Sequence, residues 1–236
     1  MPQLVTVTDL TSKAFSPAER FNGIWSLNWQ AVFDYGRSPW VEHGYAPAAT
    51  VIYLPKAVAP PKGAWHIELL DTSDEEGALG YHENEAFDKG STPGKASERS
   101  SRGLAAGRGT PLAKVFCKTA RSDGADPWEV ASHELIEMLV DPWVTDESEV
   151  RTASNPRDGL EYIVEACDAV QSTGYRITPE GPLMSNFCWP AWWGLEQTRK
   201  ALDQQGRVHK PFEVLSGGYM SVKKPSGSWE QIGGAK

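Results

Sequence analysis

The chain has 236 residues, of which 40% are hydrophobic and 23% charged, a composition typical of a globular protein with a hydrophobic core. Its formal net charge of −8 at pH 7 argues against a general nucleic-acid or anionic-membrane binder, because phosphate groups bind clustered lysines and arginines. No apolar run approaches the roughly 20 residues of a transmembrane helix. The first residues also lack the basic and apolar segments of a secretion signal. We therefore expect neither a membrane span nor a signal peptide.

The cysteines and tryptophans carry less specific information. Three cysteines without close spacing argue against a disulfide framework and predict buried free thiols in a reducing compartment; they are Cys117, Cys167 and Cys188. Ten tryptophans are many for this length. A late group of them could form core, cleft wall or a contact surface; it consists of Trp189, Trp192 and Trp193.

A helix is predicted near the N-terminus, because Ser16 can cap it, Pro17 suits its first turn and Glu19 completes a capping box. We expect this helix to continue to about Gly36; a strand of alternating apolar residues from Trp25 is the less favoured alternative. Four strands are predicted after it, at Ala49–Leu54, Trp65–Leu70, Leu79–His82 and Ala113–Lys118.

Between the last two of these strands lies an insert at about residues 88–110 that is rich in glycine, serine, lysine and arginine. This composition predicts a mobile surface loop, since it offers too little apolar surface to pack. The alternative is an anion- or partner-binding arm within an otherwise acidic protein.

The most informative feature is a helix predicted from Asp126-Pro127 to Asp141-Pro142, which carries the motif His-Glu-x-x-Glu. Positions four apart share one face of a helix, so His133 and Glu137 can bind one metal ion together. Glu134 lies beside them, where a zinc hydrolase needs a general base that takes a proton from the attacking water.

Two interpretations of this helix remain open. A helical wheel places His133, Glu134, Glu137 and Asp141 in one arc, with the apolar residues opposite. In the first interpretation the arc faces water, and His133 and Glu137 form an ordinary pair worth a few tenths of a kcal/mol. In the second, the arc lines a cleft and holds a metal ion.

A catalytic zinc site needs three protein ligands and one open position, so the helix must be completed by another segment. Glu165 and Asp168 are the candidates, because they lie among apolar residues, where a buried carboxylate needs a partner. The alternative is that either carboxylate is simply exposed on an edge strand or turn. Since Glu137 takes the place of a second neutral histidine, its charge weakens the metal as a Lewis acid. It also moves the preference from Zn²⁺ toward harder ions such as Ca²⁺ or Mn²⁺.

Further elements follow the motif helix. Glu161–Asp168 is predicted as a strand or a strand that runs into a loop, and Tyr175–Ile177 as a short strand. Pro211–Leu215 and Tyr219–Val222, joined through Gly217-Gly218, predict a C-terminal hairpin at about residues 211–224. The order of helices and strands predicts a single α+β domain over residues 1–236.

Several segments occur in a fixed order along the chain: Leu79–His82, Pro111–Phe116, Ala131–Met138 with Asp141-Pro142, Glu165–Asp168, and Ser185–Phe187 with Pro190–Trp192. Together they resemble a family of largely uncharacterised zincin-like proteins found in bacterial and phage genomes. The similarity extends from about Phe15 to Met220, and the polar insert is longer than is usual for that family.

The resemblance implies a zincin-like domain in which the edge strand of a mixed sheet, here near Ala113–Lys118, borders a cleft above the motif helix. It also implies roles for the acidic residues and the motif histidine. The implied metal ligands are His133, Glu137 and either Glu165 or Asp168, and the implied base is Glu134.

The resulting prediction is a metal-dependent hydrolase of peptide bonds, a metallopeptidase by analogy with the fold. An extended peptide or protein substrate would pair with the edge strand, and the expected substrate contacts are His82, Lys114 and Phe116. The alternative is a non-enzymatic structural or interaction protein, such as a phage virion component with a structural or vestigial metal site. Its partners would be neighbouring subunits of a larger assembly. We expect the protein in the cytoplasm, or in the virion if a phage encodes it, and we do not expect a nucleic-acid partner.

Overall fold

The computed structural model describes residues 1–75, 77–85, 110–143, 150–197, 200–224 and 226–233, with the backbone alone for residues 84 and 85. The polar insert at about residues 88–110 lies outside the described residues except for Thr110. Within the described ranges, no helix is long and apolar enough to cross a membrane.

A five-stranded mixed sheet forms one layer; its strands are β1 (Gln3–Asp9), β2 (Ala49–Tyr53), β3 (Trp65–Leu70), β4 (Gly80–Glu85) and β5 (Thr110–Phe116). They lie in the order β2-β1-β3-β5-β4. The first four strands of that order are parallel to their neighbours, and β4 pairs antiparallel with β5. The mixed sheet with packed helices confirms the α+β class.

The expected edge strand is wrong. The strand predicted at Ala113–Lys118 is β5. It ends at Phe116, because Cys117 begins a short helix, α3 (Cys117–Ser122), which is the third helix along the chain. β5 pairs with β3 on one side and with β4 on the other, so it is an interior strand. Among the strands that the structure describes, β4 is the edge on this side of the sheet. The order of strands depends on contacts between distant segments, which a local pattern does not encode.

The N-terminal helix forms where the capping box predicts it. α1 (Pro17–Trp29) begins at Ser16, whose hydroxyl accepts the Glu19 amide while the Glu19 carboxylate accepts the Ser16 amide. The helix continues as a π-helical segment, Gln30–Tyr35, and ends near Gly36 as predicted. A short helix, α2 (Pro39–Glu42), follows it. The alternative of a strand from Trp25 is wrong.

The motif helix, α4 (Pro127–Val140), also begins at its predicted cap. The Asp126 carboxylate accepts the Trp128 amide at 3.0 Å, and it accepts the Leu183 amide as well. The helix ends at Asp141, before a proline. Its apolar side joins the core with Ala113 and Val115 of β5, so α4 lies across the sheet beneath β5 and β4.

The remaining strands are short: β6 (Thr152–Ser154), β7 (Glu161–Ile163), β8 (Tyr175–Arg176), β9 (Leu183–Met184), β10 (Tyr219–Lys223) and β11 (Trp229–Gly233). A second, antiparallel sheet has the order β11-β10-β7-β6, and β8 pairs with β9. The predicted hairpin is wrong, because residues 211–215 form turns and loop. β10 pairs instead with β7 and with β11.

Buried apolar side chains from Val5 to Val222 form one core cluster. The cysteines are free and buried within it, as predicted. Trp192 and Trp193 are also buried, and Trp189 packs against the same cluster. The late tryptophan group is therefore part of the core rather than a contact surface.

Candidate metal centre

The polar arc of α4 is buried. Glu134, Glu137 and Asp141 are only 6%, 4% and 1% exposed, and the His133 side chain is 15% exposed. The interpretation in which this arc faces water is therefore wrong. Buried carboxylates require partners, so the groups around the arc decide what it can do.

Two carboxylates converge on the His133 ring. Its Nε2 atom lies 3.1 Å from Glu137 Oε2, one helical turn along, and 3.3 Å from Asp168 Oδ1. Asp168 begins a 3-10 turn, Asp168–Val170, and is 4% exposed, so it is not the solvent-exposed turn residue of the alternative interpretation. Of the two carboxylates left open by the sequence, Asp168 is the one in contact with His133.

The main chain of the same loop fixes the orientation of Glu137. The Cys167 amide donates to Glu137 Oε1 at 3.0 Å, while Glu137 Oε2 faces His133. The Cys167 thiol donates to the His133 carbonyl oxygen at 3.7 Å. The loop after β7 is thereby joined to the motif helix at two points.

Glu165 lies against Glu137. A carboxylate oxygen of each lies within 4.8 Å of the other and of a ring nitrogen of His82. The Glu165 Oε2 atom is buried and has no hydrogen-bond partner among the described residues. Burial and the charges of Glu137, Asp168 and Asp141 raise the pKa of Glu165 well above its usual value.

The cluster favours positive charge at the His133 position. Burial alone lowers the pKa of His133, but the charge of Glu137 and the hydrogen bond to Asp168 outweigh it, and the pKa rises well above its usual value. Burial raises the pKa of Glu137, but His133, the charge of His82 and the Cys167 amide together lower this pKa below its usual value. Burial and the Glu137 charge raise the pKa of Asp168 to about 7, against the opposing effect of His133. A cation here would relieve the repulsion among these carboxylates.

The edge strand β4 closes the other side of the cluster. His82 Nδ1 lies 3.5 Å from Glu134 Oε2, and His82 Nε2 lies 3.1 Å from the Asp141 carbonyl oxygen. At Gly80, a Cβ atom would come within 2.7 Å of Val130 and 3.0 Å of Glu134 Oε1. Only glycine allows β4 to approach the helix this closely.

In the part of the chain that the structure describes, two sets of side chains could each hold a metal ion, with their ligand atoms within 4.8 Å of one another. The first is His133, Glu137 and Cys167, and the second is His82, Glu137 and Glu165. Nitrogen, carboxylate and sulfur donors suit zinc, and nitrogen and carboxylate donors suit zinc or manganese. The unpartnered Glu165 oxygen and the convergence on His133 fit such an ion.

The structure does not bring Lys114 and Phe116 to this cluster. Lys114 pairs in register with Tyr81, whose hydroxyl is 2.7 Å from its Nζ, on the sheet face opposite α4. Phe116 shares that face and is fully buried. Side chains alternate along a strand, so Ala113 and Val115 face the helix while Lys114 and Phe116 face away from it. Their assignment as substrate contacts is therefore corrected; His82, in contrast, faces Glu134.

Sequence analysis did not identify two participants. The first is Cys167, whose amide contacts Glu137 and whose thiol contacts the His133 carbonyl oxygen. Its position between Glu165 and Asp168 in the sequence could have indicated that it lies near the site. The Tyr219 hydroxyl donates to Asp168 from the start of β10. Burial and the nearby carboxylates raise the pKa of Tyr219, so this donor stays protonated. Nothing local in the sequence around Tyr219 indicates this contact.

Comparisons of the chain with family models, curated proteins and solved structures give no match. The assignment of a function therefore rests on the geometry and chemistry of the cluster itself.

Proposed function

We propose that this chain is a metal-dependent hydrolase of peptide bonds, with a zinc ion held by His133 and Glu137 of the first set and by Asp168, which contacts the same His133 nitrogen. The single observation that carries this function is the approach of Glu137 and Asp168 to His133 Nε2, at 3.1 and 3.3 Å. Three protein ligands leave one position open in a catalytic zinc site. When bound, zinc polarises a substrate carbonyl and makes water more acidic.

Glu134 is the proposed general base. It follows the first ligand in the helix, and its carboxylate is directed toward Gly80 and His82 of the edge strand. In this position it takes a proton from the water that attacks the carbonyl carbon, and then delivers that proton to the leaving amine. Tyr219 keeps Asp168 in place by donating a hydrogen bond from β10.

The edge of β4 is the proposed substrate-binding strand. It takes the place of β5, whose backbone is already paired on both sides. An extended peptide that adds to β4 would receive main-chain hydrogen bonds and pass in front of Glu134. An edge strand above a helix with the His-Glu-x-x-Glu motif also supports the zincin-like hypothesis.

The alternative of a non-enzymatic assembly component has lost part of its basis. It relied on late tryptophans that could pack against a neighbour, but Trp192 and Trp193 are 1% and 2% exposed. A buried base beside a ligand cluster is better suited to hydrolysis than to a structural ion alone.

Glu134→Gln tests the proposal, because it removes the base and keeps the shape of the side chain. The zinc-loaded protein is incubated with a library of peptides of varied sequence, and products are identified by mass spectrometry. We expect Glu134→Gln to retain zinc and to lose about 10²- to 10⁴-fold in cleavage rate. Glu42→Gln, an exposed position on α2, is the matched control and should cleave normally. Cleavage that survives a chelator, or an unchanged rate in Glu134→Gln, would contradict the proposal.

A further inference from the structure

The second set of potential ligands, His82, Glu137 and Glu165, is not used by the single-zinc arrangement except through Glu137. Its ligand atoms also lie within 4.8 Å of one another. Glu137 belongs to both sets, and it has one oxygen near His133 and another that accepts the Cys167 amide. A carboxylate with two oxygens can contact two ions at once.

The hydrogen bonds of His82 prepare one ring nitrogen for a ligand. The Asp141 carbonyl oxygen can only accept, so the Nε2 atom 3.1 Å away carries a proton. In the neutral ring Nδ1 then has a free lone pair, and it faces Glu134 Oε2 at 3.5 Å. The Nδ1 lone pair and the Glu134 carboxylate repel each other unless a proton or a metal ion lies between or beside them. A backbone carbonyl bound to the other nitrogen is the usual support of a metal-binding histidine.

Glu165 supplies the second, independent indication. Its Oε2 atom is buried without a hydrogen-bond partner among the described residues, and one of its carboxylate oxygens lies within 4.8 Å of one from Glu137. An orphaned buried carboxylate oxygen is costly, and a cation between the two glutamates would remove that cost.

Charge balance also favours a second ion. The cluster contains five carboxylates, Glu134, Glu137, Asp141, Glu165 and Asp168. One divalent ion leaves three negative charges at the site, whereas two divalent ions leave one.

We propose that the site holds two divalent metal ions, with His82, Glu137 and Glu165 binding the second and Glu137 bridging it to the first. This rests on the proposed function, since the first ion is the one assigned there. One nitrogen and two carboxylate donors suit Zn²⁺ or Mn²⁺. Two ions on one carboxylate form a recognised class of hydrolytic centre, which can stabilise both oxygens of a displacement.

Metal content distinguishes the two proposals. The protein is stripped with a chelator, reloaded with Zn²⁺, passed through a desalting column and analysed by elemental mass spectrometry. We expect about two ions per chain in the wild type and about one in His82→Asn and in Glu165→Gln, as the bridging arrangement requires. His43→Asn and Glu161→Gln, two positions outside the cluster, are the matched controls and should keep both ions.

Each other outcome has a definite meaning. One ion in the wild type that is lost in His133→Asn but kept in His82→Asn overturns the second site and leaves the proposed function intact. Two ions in the wild type and in both His82 and Glu165 variants place the second ion elsewhere and also overturn it. No retained ion in the wild type overturns both proposals.

A measurement on the wild type alone avoids dependence on variants that fold poorly. The stripped chain is titrated with Mn²⁺ and followed by electron paramagnetic resonance. An exchange-coupled signal that grows with the second equivalent is expected for a pair of ions on one carboxylate. A spectrum of isolated Mn²⁺ at saturation would overturn the bridged site.

Discussion

The two faces of the five-stranded sheet each bury a histidine, yet they shift the pKa of that histidine in opposite directions. His66 of β3 lies on the face away from α4 and contacts Thr6 Oγ1 at 2.6 Å, whereas His82 of β4 faces α4. They are 0% and 7% exposed. Burial lowers the pKa of His66 to about 4, but the charges of Glu134 and Glu137 overcome burial and raise the pKa of His82.

The difference teaches that depth of burial does not identify a functional histidine. On the face of His66 a lysine lies among the carboxylates, since Lys114 is 2.9 Å from Glu83 and 3.4 Å from Asp74. On the α4 face the carboxylates exceed the cations, and a histidine there is drawn toward positive charge. An excess of buried negative charge is what marks the site.

The largest expected effect comes from removing metal from the α4 face. A ligand present at about 1,000 times its dissociation constant stabilises the folded state by about 4 kcal/mol, so chelation should lower the free energy of unfolding by about that amount. Urea denaturation of the zinc-loaded and chelated protein measures it. In His133→Asn, chelator should change the free energy of unfolding very little. A loss equal to that of the wild type would mean that the metal is not bound on the α4 face.

The His66 face should give a smaller effect that depends on pH instead of metal. Burial lowers the pKa of His66 from 6.5 to about 4 in the folded protein. Between these pH values His66 therefore binds a proton more readily in the unfolded chain than in the folded one. Stability is then complete above pH 6.5 and falls as the pH drops toward 4, by about 3 kcal/mol in total. Denaturation across this range, with chelator present, measures the fall.

His66→Gln should remove the part of the pH dependence that His66 contributes, measured as the difference in stability between variant and wild type at each pH, because glutamine does not titrate. His43→Gln is the control, since the His43 side chain is 39% exposed. An unchanged dependence on pH in His66→Gln would assign the effect to another group and remove the contrast between the faces.

The smallest expected effect sharpens the comparison at the contact between β4 and α4. Gly80→Ala would place a Cβ atom 2.7 Å from Val130 and 2.9 Å from the Lys114 carbonyl oxygen. We expect a loss of about 2 kcal/mol in the free energy of unfolding, as in other overpacked sites. Gly233→Ala is the matched strand control, since its nearest atom would be 3.9 Å away. Equal stability of the two variants would mean that β4 can move away from the helix without cost.

Local signals predicted the elements that local chemistry determines. Ser16 with Glu19 and Asp126 with its proline predicted both long helices, because a cap and its helix are separated by only a few residues. The shared face of His133 and Glu137 follows from helix geometry in the same way.

The remaining features depend on contacts between distant segments. β5 could not be recognised as interior, because its partners β3 and β4 are chosen by the whole sheet. The sequence left Glu165 and Asp168 equivalent, and only the 3-10 turn separates their roles. β10 pairs with the distant strand β7 as well as with β11, whereas residues 211–215 form turns and loop rather than a strand.

The hydrogen bond that the Cys167 amide donates to Glu137 has a consequence for variation at this site. A main-chain donor belongs to the path of the chain, so replacing the cysteine by another residue that keeps the path leaves the bond in place. The orientation of a ligand is thus inherited through backbone geometry rather than through the identity of the neighbouring side chain. Two proteins could share this support for a carboxylate while their sequences differ at the position that provides it.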